Sequence, residues 1–194
     1  MNYFLSALII TLIIPIWGLL IYLLNRLIYA ILKKLTSTNI AIFIVNWLTV
    51  PGVIHHELSH ALVALFSGAE ITEFRPFWPD KETGSLGHVN FIARGAFLLR
   101  AFQMPFVSAA PVIMGTVSTI LLTAYLKQGV PSAWLIPLTF YLIFSIVIHA
   151  SMSIDDVKVM LRGIWVQLIA AWVICCYFSF DLMPIFQQVA RHIS

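Results

Sequence analysis

Residues 51–67 read Pro-Gly-Val-Ile-His-His-Glu-Leu-Ser-His-Ala-Leu-Val-Ala-Leu-Phe-Ser, an apolar run that carries four ionisable groups at helical spacing. On a helix, His56 and His60 lie four residues apart, so both imidazoles leave one face and can grip a single metal ion. Glu57 projects beside that face, where a carboxylate can take a proton from a water on the metal. Ionisable side chains inside an apolar span are costly and are kept for function. His55 points about 100° away from His56 and is read as a neighbour without a role in ligation. Pro51 is expected to kink or restart the helix just before the motif, and Gly68 to cap its end.

The flanking sequence makes this helix part of a membrane protein. Of 194 residues, 61% are hydrophobic and only 10% charged, and the mean hydropathy is +0.97. A soluble domain carries about a quarter of its residues as charges. Charge-free runs cover residues 1–25, 35–56, 101–126, 128–154 and 163–180, and most reach the ~18–20 residues needed to cross ~30 Å of hydrocarbon. The expected fold is an all-α polytopic membrane protein of about five transmembrane helices, a single integral membrane domain over residues 1–194. The first span is placed at 3–24, retained as a membrane anchor and followed by an interfacial amphipathic stretch through Lys34. Arg26, Lys33 and Lys34 suit the headgroups of a lipid bilayer and not a nucleic acid. The only cysteines, Cys175 and Cys176, are adjacent in an apolar run and read as packing residues.

Residues 69–93 differ in character. Glu70 to Arg75 mixes polar, aromatic and β-branched residues, and Ser85 to Phe91 alternates, with His88 and Asn90 on one face and Val89 and Phe91 on the other. A small β-hairpin after the motif helix is expected, its turn around Pro79 to Gly84. Further spans follow at about 97–125, 132–150 and 160–180, with a polar junction at 151–158 and a short interfacial helix from Asp181.

Two histidines leave a metal site incomplete, because a catalytic zinc takes three protein ligands and keeps one open position. The candidates within the apolar regions are His149, Asp155 and Asp156. If the fourth helix continues through the junction, His149 and Asp156 are seven residues apart and share a face, while Asp155 turns away. Asp156 is therefore the favoured third ligand, with Asp155 as the alternative. His149 is expected to line the pocket or to hold a carboxylate behind the metal. His88, on the hairpin, is a weaker candidate.

His56-Glu57-Leu58-Ser59-His60-Ala61 in a membrane span, a β-type segment from Gly68-Ala69-Glu70 to Gly87-His88-Val89, and an aspartate beside a later span together resemble the site-2 protease family of intramembrane zinc metalloproteases. The resemblance covers about residues 40–160, with the spans at 3–24 and 160–180 as additions to that core. It implies one Zn²⁺ per chain on His56, His60 and Asp156, and Glu57 as general base. It also implies hydrolysis of a peptide bond in or near the transmembrane segment of a protein or membrane-bound peptide substrate. Where the family carries Leu-Asp-Gly, this chain has Asp155-Asp156-Val157. Two other classes are weighed beside it. A non-proteolytic membrane zinc protein or substrate-binding adaptor would need the ligands but not Glu57. A metal or solute transporter would be expected to show an inverted repeat, and none is visible.

Overall fold

The computed structural model describes residues 2–79 and 86–193, so residues 80–84 of the expected hairpin turn lie outside the described residues. The chain is a helical bundle carrying one hairpin. In order it forms α1 (Tyr3–Leu35), α2 (Thr38–Ile42), a π-helical turn (Phe43–Trp47), α3 (Val50–Ser67), β1 (Glu70–Arg75) and β2 (His88–Ile92). Then come α4 (Phe97–Lys127), α5 (Leu135–His149), α6 (Ile154–Leu161), α7 (Ile164–Tyr177) and α8 (Met183–Ile193).

The bundle is apolar outside and small or polar inside. On α1 the buried positions are Ser6, Ala7, Thr11 and Gly18, while Ile13, Ile16, Trp17, Leu20, Leu23 and Leu24 are exposed. The buried face of α4 is likewise rich in Ala, Ser, Pro and Gly. Lipid rewards outward-facing aliphatic groups, and small residues let helix backbones approach closely. Two helices, α1 and α4, are long and apolar enough to cross a membrane. The count rises to four if two bent pairs each make one span: α2 and its π-turn with α3, bent by 51°, and α5 with α6, bent by 59°. The mostly helical, membrane-type fold with its hairpin is as expected, and among the described residues two to four of the five expected spans meet the length and composition of a crossing. The fifth run yields α7, which has only 14 residues.

Two further expectations change. The first helix does not give way to a separate interfacial stretch at residue 24; it continues to Leu35 with Lys33 and Lys34 in its last turn, where cations favour the helix dipole. The helix expected to run from 132 through Asp156 breaks after His149 and restarts at Ile154.

The first bend, at Leu48–Thr49, is where Pro51 was expected to restart the helix, and Pro51 sits in the first turn of α3. It is stitched by three polar residues spaced four apart on α5. Tyr141 donates to the Leu48 carbonyl (2.8 Å). Ser145 donates to the Thr49 carbonyl (3.0 Å) and accepts from the Gly52 amide (2.7 Å). His149 meets Thr49 Oγ1 through Nε2 (2.8 Å). Gly52 is needed there: a Cβ would stand 2.0 Å from the Ser145 carbonyl oxygen. Gly68 ends α3 at φ 78°, a left-handed conformation that favours glycine.

The hairpin is antiparallel, pairing Glu70 with Ile92 and Arg75 with His88, with an irregularity between Ile71 and Glu73. Ile71 and Phe91 pack onto Ala64, Ala69 and Val107, which fixes the hairpin against α3 and α4. His88 engages Glu73 (3.2 Å) and, with Arg75 and Asn90, holds that carboxyl below the ordinary carboxylate range.

Candidate metal centre

α3 presents His56 and His60 one turn apart, with ring nitrogens Nε2 only 3.2 Å from each other. Their opposite nitrogens are committed. His56 Nδ1 lies 2.7 Å from the His149 carbonyl oxygen, and His60 Nδ1 lies 2.7 Å from the Val107 carbonyl oxygen. A carbonyl only accepts, so both Nδ1 atoms carry the proton and both Nε2 atoms of the neutral rings present lone pairs. Two lone pairs facing at this distance repel unless a cation lies between them.

Both carbonyls are free to accept for reasons written in the sequence. His149 ends α5, so its C=O has lost its helical partner. Val107 is inside α4, but the residue four positions on is Pro111, which has no N–H to offer. Pro111 therefore leaves the Val107 oxygen to the His60 ring.

Asp156 arrives through the break. Ser153 caps α6 in a reciprocal capping box: its hydroxyl accepts from the Asp156 amide (3.1 Å), and its own amide donates to Asp156 Oδ2 (2.8 Å). The Ser153 hydroxyl also reaches Oδ2 (2.7 Å). With Oδ2 held in this way, Oδ1 stands 3.4 Å from His60 Nε2. One ligand atom from each of His56, His60 and Asp156 lies within 4.8 Å of the other two. A tetrahedral ion with bonds of about 2.0–2.1 Å needs donor atoms about 3.3–3.4 Å apart. The two separations of 3.2 and 3.4 Å match that edge, and two imidazoles with one carboxylate make a donor set suited to Zn²⁺. The third separation is within 4.8 Å, and the three residues could together hold a metal ion.

Each remaining candidate has a definite place. Asp155 is 87% exposed and paired with Lys158 at 2.8 Å, away from the histidines. Contrary to the second of the two roles expected for it, the His149 ring holds no carboxylate among the described residues and meets Thr49 instead. Thr49 gives its hydroxyl proton to the Val45 carbonyl, so His149 Nε2 is the donor to Thr49. The backbone oxygen of His149, and not its ring, serves the centre. His55 lies against Ser118 (2.9 Å), and His88 stays with Glu73 on the hairpin. The shared helical face of His149 and Asp156 does not exist. Asp156 reaches the histidines because the helix breaks and the Ser153 cap turns its carboxylate inward.

Glu57 is buried, 8% exposed, beneath the returning hairpin. Gly87 passes so close that a Cβ there would stand 2.8 Å from Glu57 Cγ and 2.8 Å from the Arg75 carbonyl oxygen. Sequence reasoning missed Gly87, Ser153 and Thr49. It also passed over the 141/145/149 stripe, whose four-residue spacing of polar groups in an apolar helix was a readable signal. No family model, curated protein or solved structure matches this chain.

Proposed function

We propose that this protein is an integral, multi-pass membrane zinc metalloprotease that cleaves a peptide bond in or near the transmembrane segment of its substrate. The observation that carries this reading is the convergence of His56 Nε2, His60 Nε2 and Asp156 Oδ1 beside a buried Glu57. A structural zinc site needs ligands and no base. Zinc held by these three side chains would supply Lewis acidity to a scissile carbonyl and to the attacking water. Glu57 takes the proton from that water and delivers it to the leaving amine. The Nδ1 bonds of the two histidines fix the ring orientation and keep Nε2 unprotonated toward the ion. The hairpin backbone at Gly87 closes over Glu57 and restricts water around it. The resemblance to site-2 proteases, which rests on the motif residues, points to the same reaction.

The test is metal content and cleavage measured together on the detergent-purified protein with a transmembrane peptide. The wild type is expected to hold close to one zinc per chain. His56→Ala and His60→Ala should lose it, because two remaining ligands do not retain the ion. Glu57→Gln should keep the zinc and lose cleavage by several orders of magnitude. Zinc retained by His60→Ala would overturn the centre. Glu57→Gln and wild type processing the peptide alike would leave a non-proteolytic zinc protein or adaptor as the better reading.

A further inference from the structure

A cavity of about 540 Å³ opens where the hairpin, α4 and α6 meet. Its walls include Phe91, Phe97, Met104 and Val159, and two arginines, Arg100 and Arg162, line it. Of the cations without a carboxylate partner among the described residues, these two line one cavity. Among the described residues, Glu70 pairs with Arg94, Glu73 with Arg75 and Asp155 with Lys158. Arg100 and Arg162 have no carboxylate partner among the described residues.

Both arginines are exposed, and the backbones that carry them cross closely. Arg100 lies in the first turn of α4, the end where the helix dipole disfavours a cation. Each arginine is next to the tightest backbone crossing in the region: a Cβ on Gly163 would stand 1.9 Å from the Ala101 carbonyl oxygen. Phe97 stacks on Trp165 beside it, ring centroids 5.8 Å apart. The crossing brings two guanidinium-bearing residues into the lining of one cavity, where an anion would meet positive charge from both α4 and the end of α6. Guanidinium forks match a phosphate's oxygens. The rest of the lining offers a hydrocarbon surface, and the hairpin wall lies outside the apolar spans. A ligand with a phosphate at one end and an alkyl chain at the other satisfies both parts.

We propose that this cavity binds an anionic phospholipid, its phosphate between Arg100 and Arg162 and its acyl chain along Phe97 and Met104. The site is separate from the metal centre and does not rest on the protease reading.

The experiment measures binding of a fluorescent phosphatidylglycerol to the full-length protein in neutral detergent. Phosphatidylcholine and sn-glycerol 3-phosphate serve as competitors. Saturable binding is expected, displaced by unlabelled phosphatidylglycerol and poorly by either competitor. Arg100→Gln with Arg162→Gln should weaken it at least about tenfold, since two charge-assisted contacts are lost. Arg100→Lys with Arg162→Lys should restore part of it, and Lys33→Gln with Lys34→Gln should leave it within about twofold. Met104→Trp, which fills the apolar end, should weaken the lipid and not the glycerol phosphate. Helix content and thermal unfolding report folding, and every variant should match the wild type in both. Equal binding of phosphatidylcholine, or no loss in the double glutamine variant, would overturn the proposal. So would glycerol phosphate binding as tightly as the lipid, which would make the ligand a free phosphate ester. Displacement by a transmembrane peptide and not by lipid would make the cavity a substrate site instead.

Discussion

Pro111 and Asp156 show how single residues assemble the centre. Val107 would give its carbonyl to the residue 111 amide in an unbroken helix; proline withholds that amide, and His60 Nδ1 takes the place at 2.7 Å. Pro111→Ala restores a competing donor while repairing the α4 ladder. Its expected effect is a zinc affinity lowered by about 10–100-fold, the usual cost of losing a ligand's outer partner, with no loss of helix content. Competition with a chelator of known affinity measures it, and Pro105→Ala is the control, since no ligand leans on the Ala101 carbonyl. An unchanged affinity in Pro111→Ala would mean that the His60 ring is oriented by packing alone. At this scale the sequence was legible where chemistry is local. His56, Glu57 and His60 announce themselves through a four-residue spacing. Pro111 does not, because its role depends on which ring lies across from Val107, a fact of packing between α3 and α4.

Among the elements, α6 is the one whose existence decides the third ligand. A helix continuing from His149 would face His149 and Asp156 the same way, and the sequence favours Asp156 over Asp155 on that geometry alone. The observed break replaces helical phase by a capping box, in which Ser153 and Asp156 satisfy each other's amides. The aspartate pair thus acts in two ways at once: Asp156 caps α6 and turns Oδ1 to the histidines, while Asp155 pairs with Lys158. Ser153→Ala should cost about 1 kcal/mol of stability and also weaken zinc binding, because Oδ2 is no longer held. Asp156→Ala should abolish zinc binding, and Asp155→Ala should leave it unaltered. Thermal denaturation together with zinc titration separates the two effects, and a Ser153→Ala protein that is less stable but binds zinc normally would show the cap to be structural only. The cap was readable as Ser-x-x-Asp. What concealed it was the apolar run from 132 to 150, which reads as one uninterrupted span. The 59° bend follows from contacts with other helices, including Met152 donating its amide to the Gly18 carbonyl (3.4 Å).

For the whole molecule, the contacts along α1 give an ordered map of how the chain would traverse a bilayer. At its start, Asn2 donates its amide to Asp181 (3.1 Å) and Ser6 donates to the same carboxylate (3.3 Å). Phe4 meets Trp172 edge-on, ring centroids 6.2 Å apart. Ile14 and Ile164 pack on one cluster with Met152, Gly18 accepts from Met152, and Asn25 donates to the Ile148 carbonyl (3.4 Å). As residue numbers on α1 rise from 2 to 25, those of its partners fall from 181 to 148. α5, the break and α7 therefore lie antiparallel to α1 as successive pieces of one path. With 15 and 14 residues, α5 and α7 are each about 21–22 Å long, too short alone for ~30 Å of hydrocarbon but long enough together. If this path is one crossing, then with α1, α4 and the bent α2–α3 pair the chain would make four. Run lengths do not distinguish one broken span from two whole ones; the order of the partners of α1 favours the broken span. Four crossings would place residue 2 and residue 181 on the same side of the membrane, and the Gln128–Gly129 turn on the other. Paired compartment-sensitive reporters, one fused before Met1, one after Ser194 and one inserted at Gln128–Gly129, measure this directly. The two terminal fusions should report the same compartment and the inserted one the opposite. Terminal fusions in opposite compartments would mean an odd number of crossings, with α7 a span of its own and the Asp181 contacts with Asn2 and Ser6 absent in the bilayer.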